Sequence, residues 1–315
     1  MNNIINFNNT QQHVDNLALR DRDYNGADFD IKARSLFVFP NDDPRAPMKV
    51  VNKYATVRAD NNSILGIHSM NYRVVSHKEM IDTQRDVIIR SGMADSSIKE
   101  TISLDATGKK CYVKHTLPNH SLVTPDGDTA ALTFLSINSF CGTWAYQISA
   151  GANQGACQNS QVFTSGAATL YKARHNKHLD IEHAADVIVN AIPVFMRQAE
   201  LWHKWKDTSC TDREAAIIFA GLVSPEFKEL VKENTSGSIQ PRTVERNITY
   251  NYLMKKYHGH YKSALGANLW SVYNTLTDWG THIQSKSVNV AGIQHKRSIK
   301  IQKVLETPYF IAALV

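Results

Sequence analysis

Six cations and one tyrosine of this 315-residue chain are spaced as a polyanion site would need them. In Lys110-Cys111-Tyr112-Val113-Lys114, residues two apart share a strand face. Lys110, Tyr112, Lys114 and Thr116 therefore project together, and Cys111, Val113, His115 and Leu117 project oppositely. A phenol ring between two ammonium groups offers a base a stacking face and its phosphates two partners. An ordinary solvated sheet face carries the same pattern. The run Tyr171-Lys-Ala-Arg-His-Asn-Lys-His178 adds Lys172, Arg174 and Lys177, with no acid before Asp180. It follows a neutral segment directly and is the best local candidate for phosphate contact, although a solvated loop reads alike. Arg58, alternating with Tyr54 and Thr56, completes the set.

The catalytic search yields less. The chain has no P-loop, no G-x-G-x-x-G after a strand, no H-E-x-x-H and no G-x-S-x-G. Asp126 and Asp128 flank Gly127, where turn geometry alone favours aspartate. Asp180 and Glu182 lie near His175, His178 and His183, the one acid–base cluster worth testing. Those histidine spacings do not stack on one helical face, so no metal site is expected.

These residues need a sheet to hold them. From Thr129 to Tyr171 the chain runs 43 residues with no Asp, Glu, Lys, Arg or His, although 20% of the whole is charged. Polar residues interrupt the segment too often for a membrane span. Its β-branched, aromatic and Gly-punctuated composition predicts consecutive buried strands. The Gly- and amide-rich part, 142–155, is suited to close approach of a ligand or a neighbouring subunit. Upstream, two hairpins are expected. One turns at Asp60–Ser63 and one at Asp105–Gly108, with a helix between them opened by the Ser76/Glu79 capping box and closed near Gly92. Residues 1–47 read as a polar arm, with a short strand at 35–39.

Downstream the pattern turns helical. An apolar stripe runs from Ile181 to Trp202, with Pro193 expected to kink or split it. Thr211 and Glu214 form a second capping box, and Pro225 opens another helix. Helices are expected over 243–257 and 265–281, after a loop at 234–240. Residues 285–303 hold five cations and no acid and read as a basic tail, followed by an apolar end that packs on the chain's own core or on a neighbour. The fold class is α+β, strand-rich and then helix-rich, divided as 1–47, 48–178, 179–282 and 283–315.

The formal charge of +6 and the pI near 9.0 permit a nucleic-acid partner without requiring one. The four cysteines form no C-x-x-C pair and no zinc pattern, as expected of buried thiols in a reducing compartment. The opening residues resemble no signal peptide, so a bacterial cytoplasmic setting is expected.

Several short motifs, in order, carry a resemblance: Asn71-Tyr72-Arg73-Val74-Val75-Ser76-His77-Lys78-Glu79, Asn138-Ser139-Phe140-Cys141-Gly142-Thr143, Gly155-Ala-Cys157-Gln-Asn159, Arg174-His175 and Gly266–Thr277. Over roughly residues 50–282 the chain resembles a phage- and plasmid-related family with a domain of unknown function. The resemblance implies a mobile-element context. The element order is also similar, at the level of fold, to the single-strand annealing recombinases of the RecT, Red-beta and Erf type. That similarity implies an oligomeric, cofactor-free protein that binds single-stranded DNA and anneals strands. Arg58, Lys110, Lys114, Lys172, Arg174 and Lys177 would hold phosphates, and Tyr112 would stack a base. Two other readings are a phage structural or host-interaction protein without DNA affinity, and a metal-dependent nuclease.

Overall fold

The computed structural model describes residues 18–40, 44–154, 160–162, 169–181, 183, 188, 191–233, 246–283 and 290–312. The fold is α+β, with strands preceding most of the helices. The chain divides into two compact units of interleaved segments. One contains 1–119, 133–149 and 169–191, and the other contains 120–132, 150–168 and 192–315.

The first unit opens with a three-stranded antiparallel sheet: β1 (Ile31–Val38), β2 (Met48–Arg58) and β3 (Ile64–Ser69), in that order. The expected short strand at 35–39 is thus the end of a longer one that starts inside the supposed arm. Residues 18–30 lie over this unit, with Leu19 and Ala27 buried. The rest of the arm, 1–17 and 41–43, lies outside the described residues. Helix α1 (His77–Arg90) has the capping box read from the sequence. Ser76 Oγ accepts from the Glu79 N–H at 2.9 Å, and the Glu79 carboxylate accepts from the Ser76 N–H at 3.4 Å. Its inward face is Met80, Ile81, Gln84, Val87 and Ile88, and Gly92 follows at φ +74°, a left-handed conformation that suits glycine.

A second sheet is ordered β4 (Lys99–Leu104), β5 (Lys110–Val123), β6 (Thr129–Ser139), β7 (Tyr146–Gln154) and β8 (Ser160–Val162), with β9 (Thr169–Ala173) also paired to β7. The charge-free segment supplies β6 to β9. Along β6, residues of both parities are buried, including Leu132, Thr133, Phe134, Ser136, Ile137 and Asn138. A strand covered on both faces has no place for an unpaired charge, which explains the composition. Of the Gly-rich part, 155–159 lies outside the described residues. Gly142 turns at φ +70° with open space where a Cβ would stand.

The helices of the second unit are α2 (Ala191–Asp207), α3 (Asp212–Val223), α4 (Pro225–Glu233), α5 (Ile248–Lys256), a π-helical turn at Tyr257–Tyr261, α6 (Lys262–Leu265), α7 (Leu269–Thr281), α8 (Val290–Leu305) and α9 (Pro308–Ile311). Of the expected kink or split at Pro193, the structure shows a helix that begins at Ala191 with Pro193 in its first turn, where a missing N–H costs nothing; residues 189–190 lie outside the described residues. The Thr211/Glu214 box and Pro225 open α3 and α4 as expected. The expected loop at 234–240 lies outside the described residues.

The first part of the segment read as a basic tail, 285–289, lies outside the described residues, and from Val290 onward the segment is instead helix α8. Its apolar residues Ile301, Val304 and Leu305 are buried, while Lys296, Lys300 and Lys303 face solvent. The cations hide a helical stripe that only a 3.6-residue count exposes. The apolar end packs on its own unit, with Phe310 buried 5.1 Å from the Trp205 ring. That core also stacks Trp270 against Tyr273 at 5.4 Å and brings Phe219 to Tyr257 at 5.7 Å. Among the described residues, no helix is long and apolar enough to cross a membrane.

Candidate nucleic-acid interface

The ladder on β5 has the expected alternation. Cys111, Val113, His115 and Leu117 are fully buried, while Lys110, Tyr112 and Lys114 share the opposite face. That face is half-buried rather than open. Lys110 Nζ lies 5.2 Å from the centre of the Trp144 ring, a cation–π contact. Burial pushes the Lys114 ammonium below its ordinary pKa and raises the Tyr112 phenol. A tyrosine in this state is not a bare stacking platform.

Arg58 is committed elsewhere. Its guanidinium donates to both Asp60 carboxylate oxygens, at 2.7 and 3.0 Å, and lies 3.8 Å from the centre of the Phe29 ring. The Asp60 hydrogen bond holds its pKa up. Arg58 is thus a packing and pairing residue.

Lys172, Arg174 and Lys177 are exposed and have no carboxylate partner among the described residues. Lys172 stands on β9 opposite Gln147 of β7. In the sheet order, β9 is three strand spacings from β5, about 14 Å at the usual ~4.8 Å each. The two predicted groups therefore lie on one sheet without forming one cluster.

Sequence reasoning passes over four exposed cations: Lys32 and Arg34 on β1, and Lys49 and Lys53 on β2. The signal is present, because the strands of this sheet contain five Lys or Arg and no Asp or Glu. The polar composition around β1, which reads as an arm, hides it.

A second gathering of residues lies beside this sheet. Tyr72 stacks between His68 and His175, with ring centroids at 3.8 and 5.0 Å. Tyr72 Oη donates to the Ser139 carbonyl at 2.8 Å, and His175 Nδ1 donates to the Arg73 carbonyl at 3.2 Å. Deeper in, His77 Nε2 donates to the Gly108 carbonyl at 3.0 Å. Nδ1 is then the bare nitrogen, and it accepts from Asn138 Nδ2 at 3.1 Å. Asn138 Nδ2 also donates to the Val75 carbonyl at 2.8 Å. Burial depresses the pKa of all three histidines, and that of His77 falls to about 4.

A family model described as a domain of unknown function, DUF932, matches residues 64–304. The chain belongs to the DUF932 family. No curated protein and no solved structure matches it. Three of the motifs read from the sequence as family-like meet at this junction: Tyr72 to His77, Asn138 to Phe140, and His175; Gly155–Asn159 lies outside the described residues, and Gly266–Thr277 leads into and forms most of α7. In this DUF932 chain those three tie β3, α1, β6 and the end of β9 together through buried rings and carbonyls. Every contact described there is a packing or positioning contact.

Among the described residues, the acid–base cluster does not assemble. His175 is buried under Tyr72, His178 and His183 are exposed, and Asp180 Oδ1 accepts from the His183 N–H at 3.0 Å as a turn cap. Glu182 lies outside the described residues. A cleft of about 470 Å³ is lined by Arg20, Tyr24, Asp82, Arg85 and Asp86. Its carboxylates are already engaged, Asp86 with Arg20 at 3.0 Å and Asp82 with Lys78 at 2.5 Å.

Proposed function

We propose that this protein binds single-stranded DNA and anneals complementary strands, working as an oligomer without cofactor chemistry in a phage or plasmid setting inside the bacterial cytoplasm. The observation that carries the reading is a set of exposed cations without carboxylate partners among the described residues: Lys172, Arg174 and Lys177 after the neutral sheet. Phosphate neutralisation by such residues releases counterions, so affinity is expected to fall steeply with salt. The order of three antiparallel strands followed by a capped helix is the feature on which a likeness to annealing recombinases of the RecT type is proposed, by analogy of fold. Of the six cations first considered, Arg58 contributes least, because Asp60 already neutralises it.

Fluorescence anisotropy of a labelled oligonucleotide across a salt series tests the reading. Arg174→Glu is expected to weaken binding several-fold. Absence of binding at low salt, or binding indifferent to salt, refutes it. An annealing assay with and without magnesium separates the nuclease reading, which requires metal-dependent cleavage lost in Asp180→Asn. One observation favours the interaction-protein reading: Phe37, Val38, Phe39, Met48 and Val51 are all exposed on the distal part of β1 and β2. That reading requires self-association or capture of a host protein with no oligonucleotide affinity.

A further inference from the structure

The three-stranded sheet has two faces of opposite character, and its pairing register separates them. Residues directly opposite on neighbouring strands share a face. Ile31 faces Arg58, Ala33 faces Thr56 and Tyr54 faces His68. This is the inward face: the Tyr54 hydroxyl donates to the Tyr72 carbonyl at 2.9 Å, His68 stacks on Tyr72 and Arg58 lies on Phe29. On the other face, Lys32 pairs with Val57, which pairs with Ile64. Arg34 pairs with Ala55, which pairs with Ile67, and Lys53 pairs with Ser69.

Two rows across this outer face therefore read cation, buried aliphatic residue, exposed isoleucine. Ala55 and Val57 are buried on the central strand. Lys32 and Arg34 stand exposed on β1, and Ile64 and Ile67 are 53% and 57% exposed on β3. The result is a shallow trough with a cationic wall, an apolar floor and an apolar wall. A single DNA strand has one anionic edge and one edge of bases, whereas a duplex presents phosphates on both outer edges. Lys32 and Arg34, two residues apart on a strand, are spaced by about 7 Å.

We propose that this trough is the single-strand site, with phosphates along Lys32 and Arg34 and bases against Ile64 and Ile67. The proposal rests on the single-stranded-DNA reading above and moves its main contact from the cationic run after β9 to the outer face of β1–β3. Lys53, exposed and opposite Ser69, extends the site toward the distal part of the sheet.

The test uses the full chain, a fluorescein-labelled 20-residue oligo-dT, and a labelled duplex of the same length. Lys32→Glu/Arg34→Glu is expected to weaken oligo-dT binding at least tenfold. It should also make the slope of log K against log salt shallower by about 1.4, at roughly 0.7 per phosphate on a single strand. Ile67→Ser is expected to weaken oligo-dT binding several-fold with an unchanged salt slope, because it removes an apolar contact and no charge, and to leave duplex binding as it is. If the wild type binds oligo-dT and the double variant binds equally well, the trough is not the site, although the general reading stands. A double variant that changes only the oligomeric state makes the face a contact between copies and overturns the proposal. If the wild type does not bind oligo-dT at low salt, both fall. Lys172→Glu/Arg174→Glu serves as the comparison: if it alone abolishes binding, the contact belongs to the run after β9.

Discussion

Protonating His77 should loosen the first unit, and the size of the effect follows from where the ring sits. His77 is 1% exposed, its Nε2–H is held by the Gly108 carbonyl, and its bare Nδ1 accepts from Asn138. A proton at Nδ1 would meet an amide N–H head-on. Burial is the main cause of the depressed pKa, only partly offset by the Gly108 hydrogen bond, and the value is about 4 against an ordinary 6.5. In the unfolded chain the ring protonates near 6.5. Between the two values the unfolded state holds a proton that the native state does not, so stability falls as pH falls. It is fully present above about pH 6.5 and fully lost by about pH 4. At roughly 1.4 kcal/mol for each pH unit of separation, the total is about 3 kcal/mol. His68 and His175 are depressed in the same direction by burial and add to the slope. The assay is hydrogen exchange of the α1 amides over a urea series from pH 7.5 to 4.5, in the wild type and in His77→Gln. The variant is expected to be less stable at neutral pH, with a slope near pH 5 shallower by about 1.4 kcal/mol per unit, one proton's worth. Equal slopes in the two proteins would refute the assignment of that proton to His77.

Three further outcomes follow from buried contacts. Glu100 accepts from Arg85 at 2.7 and 2.9 Å and is paired with His115 at 2.6 Å. Burial alone would raise its pKa, but these partners bring it down to about 2. Glu100→Gln leaves the guanidinium of Arg85, 1% exposed, without a counter-charge, and is expected to cost about 3–5 kcal/mol in chemical denaturation. Gly66→Ala would set a Cβ 2.1 Å from the Phe140 carbonyl oxygen. That is backbone on backbone and beyond relief by a rotamer change, so a loss above about 3 kcal/mol or failure to fold is expected. In Gly280→Ala the new Cβ meets only the Ile301 Cδ1 at 2.7 Å, the movable end of a side chain. The helix-propensity gain of about 1 kcal/mol then offsets most of the strain, and the melting temperature should barely move.

Legibility in the sequence tracks how local the determining interaction is. The capping boxes at Ser76 and Thr211 join residues three apart and are readable in full, as is the burial of the charge-free strands. The β5 alternation is readable too, but not what covers its outer half, because Trp144 reaches Lys110 from another part of the chain. Arg58 falls on the correct face with Tyr54 and Thr56. That this face turns inward depends on Phe29 and Tyr72, which no spacing reveals. The cations of β1 are lost when the strand reads as part of an arm, and those of α8 read as a tail because charge masks its buried stripe. The histidines look like scattered titratable groups. Their common junction depends on contacts between residues far apart in the chain, such as Asn138 with His77, 61 positions away, and His175 with the Arg73 carbonyl, 102 positions away.

The DUF932 match begins at Ile64, within β3, whereas the cationic wall of the trough stands on β1 and rests on β2, both before it. The junction built by Tyr72, His77, Asn138 and His175 lies within the match, and the described contacts there end on backbone carbonyls and buried rings. The packing junction therefore falls inside the family match and the cations of the trough fall outside it. If the trough holds the strand, Asn138→Ala should lower stability in step with its lost hydrogen bonds, at about 1–3 kcal/mol for the buried groups left unpaired. Strand affinity of the folded fraction should remain unchanged. Lys32→Glu/Arg34→Glu should do the reverse, since both side chains are exposed and unpartnered among the described residues. Measuring denaturation and oligo-dT anisotropy on both variants decides it. A loss of affinity in Asn138→Ala at full folding would place the strand at the histidine junction instead.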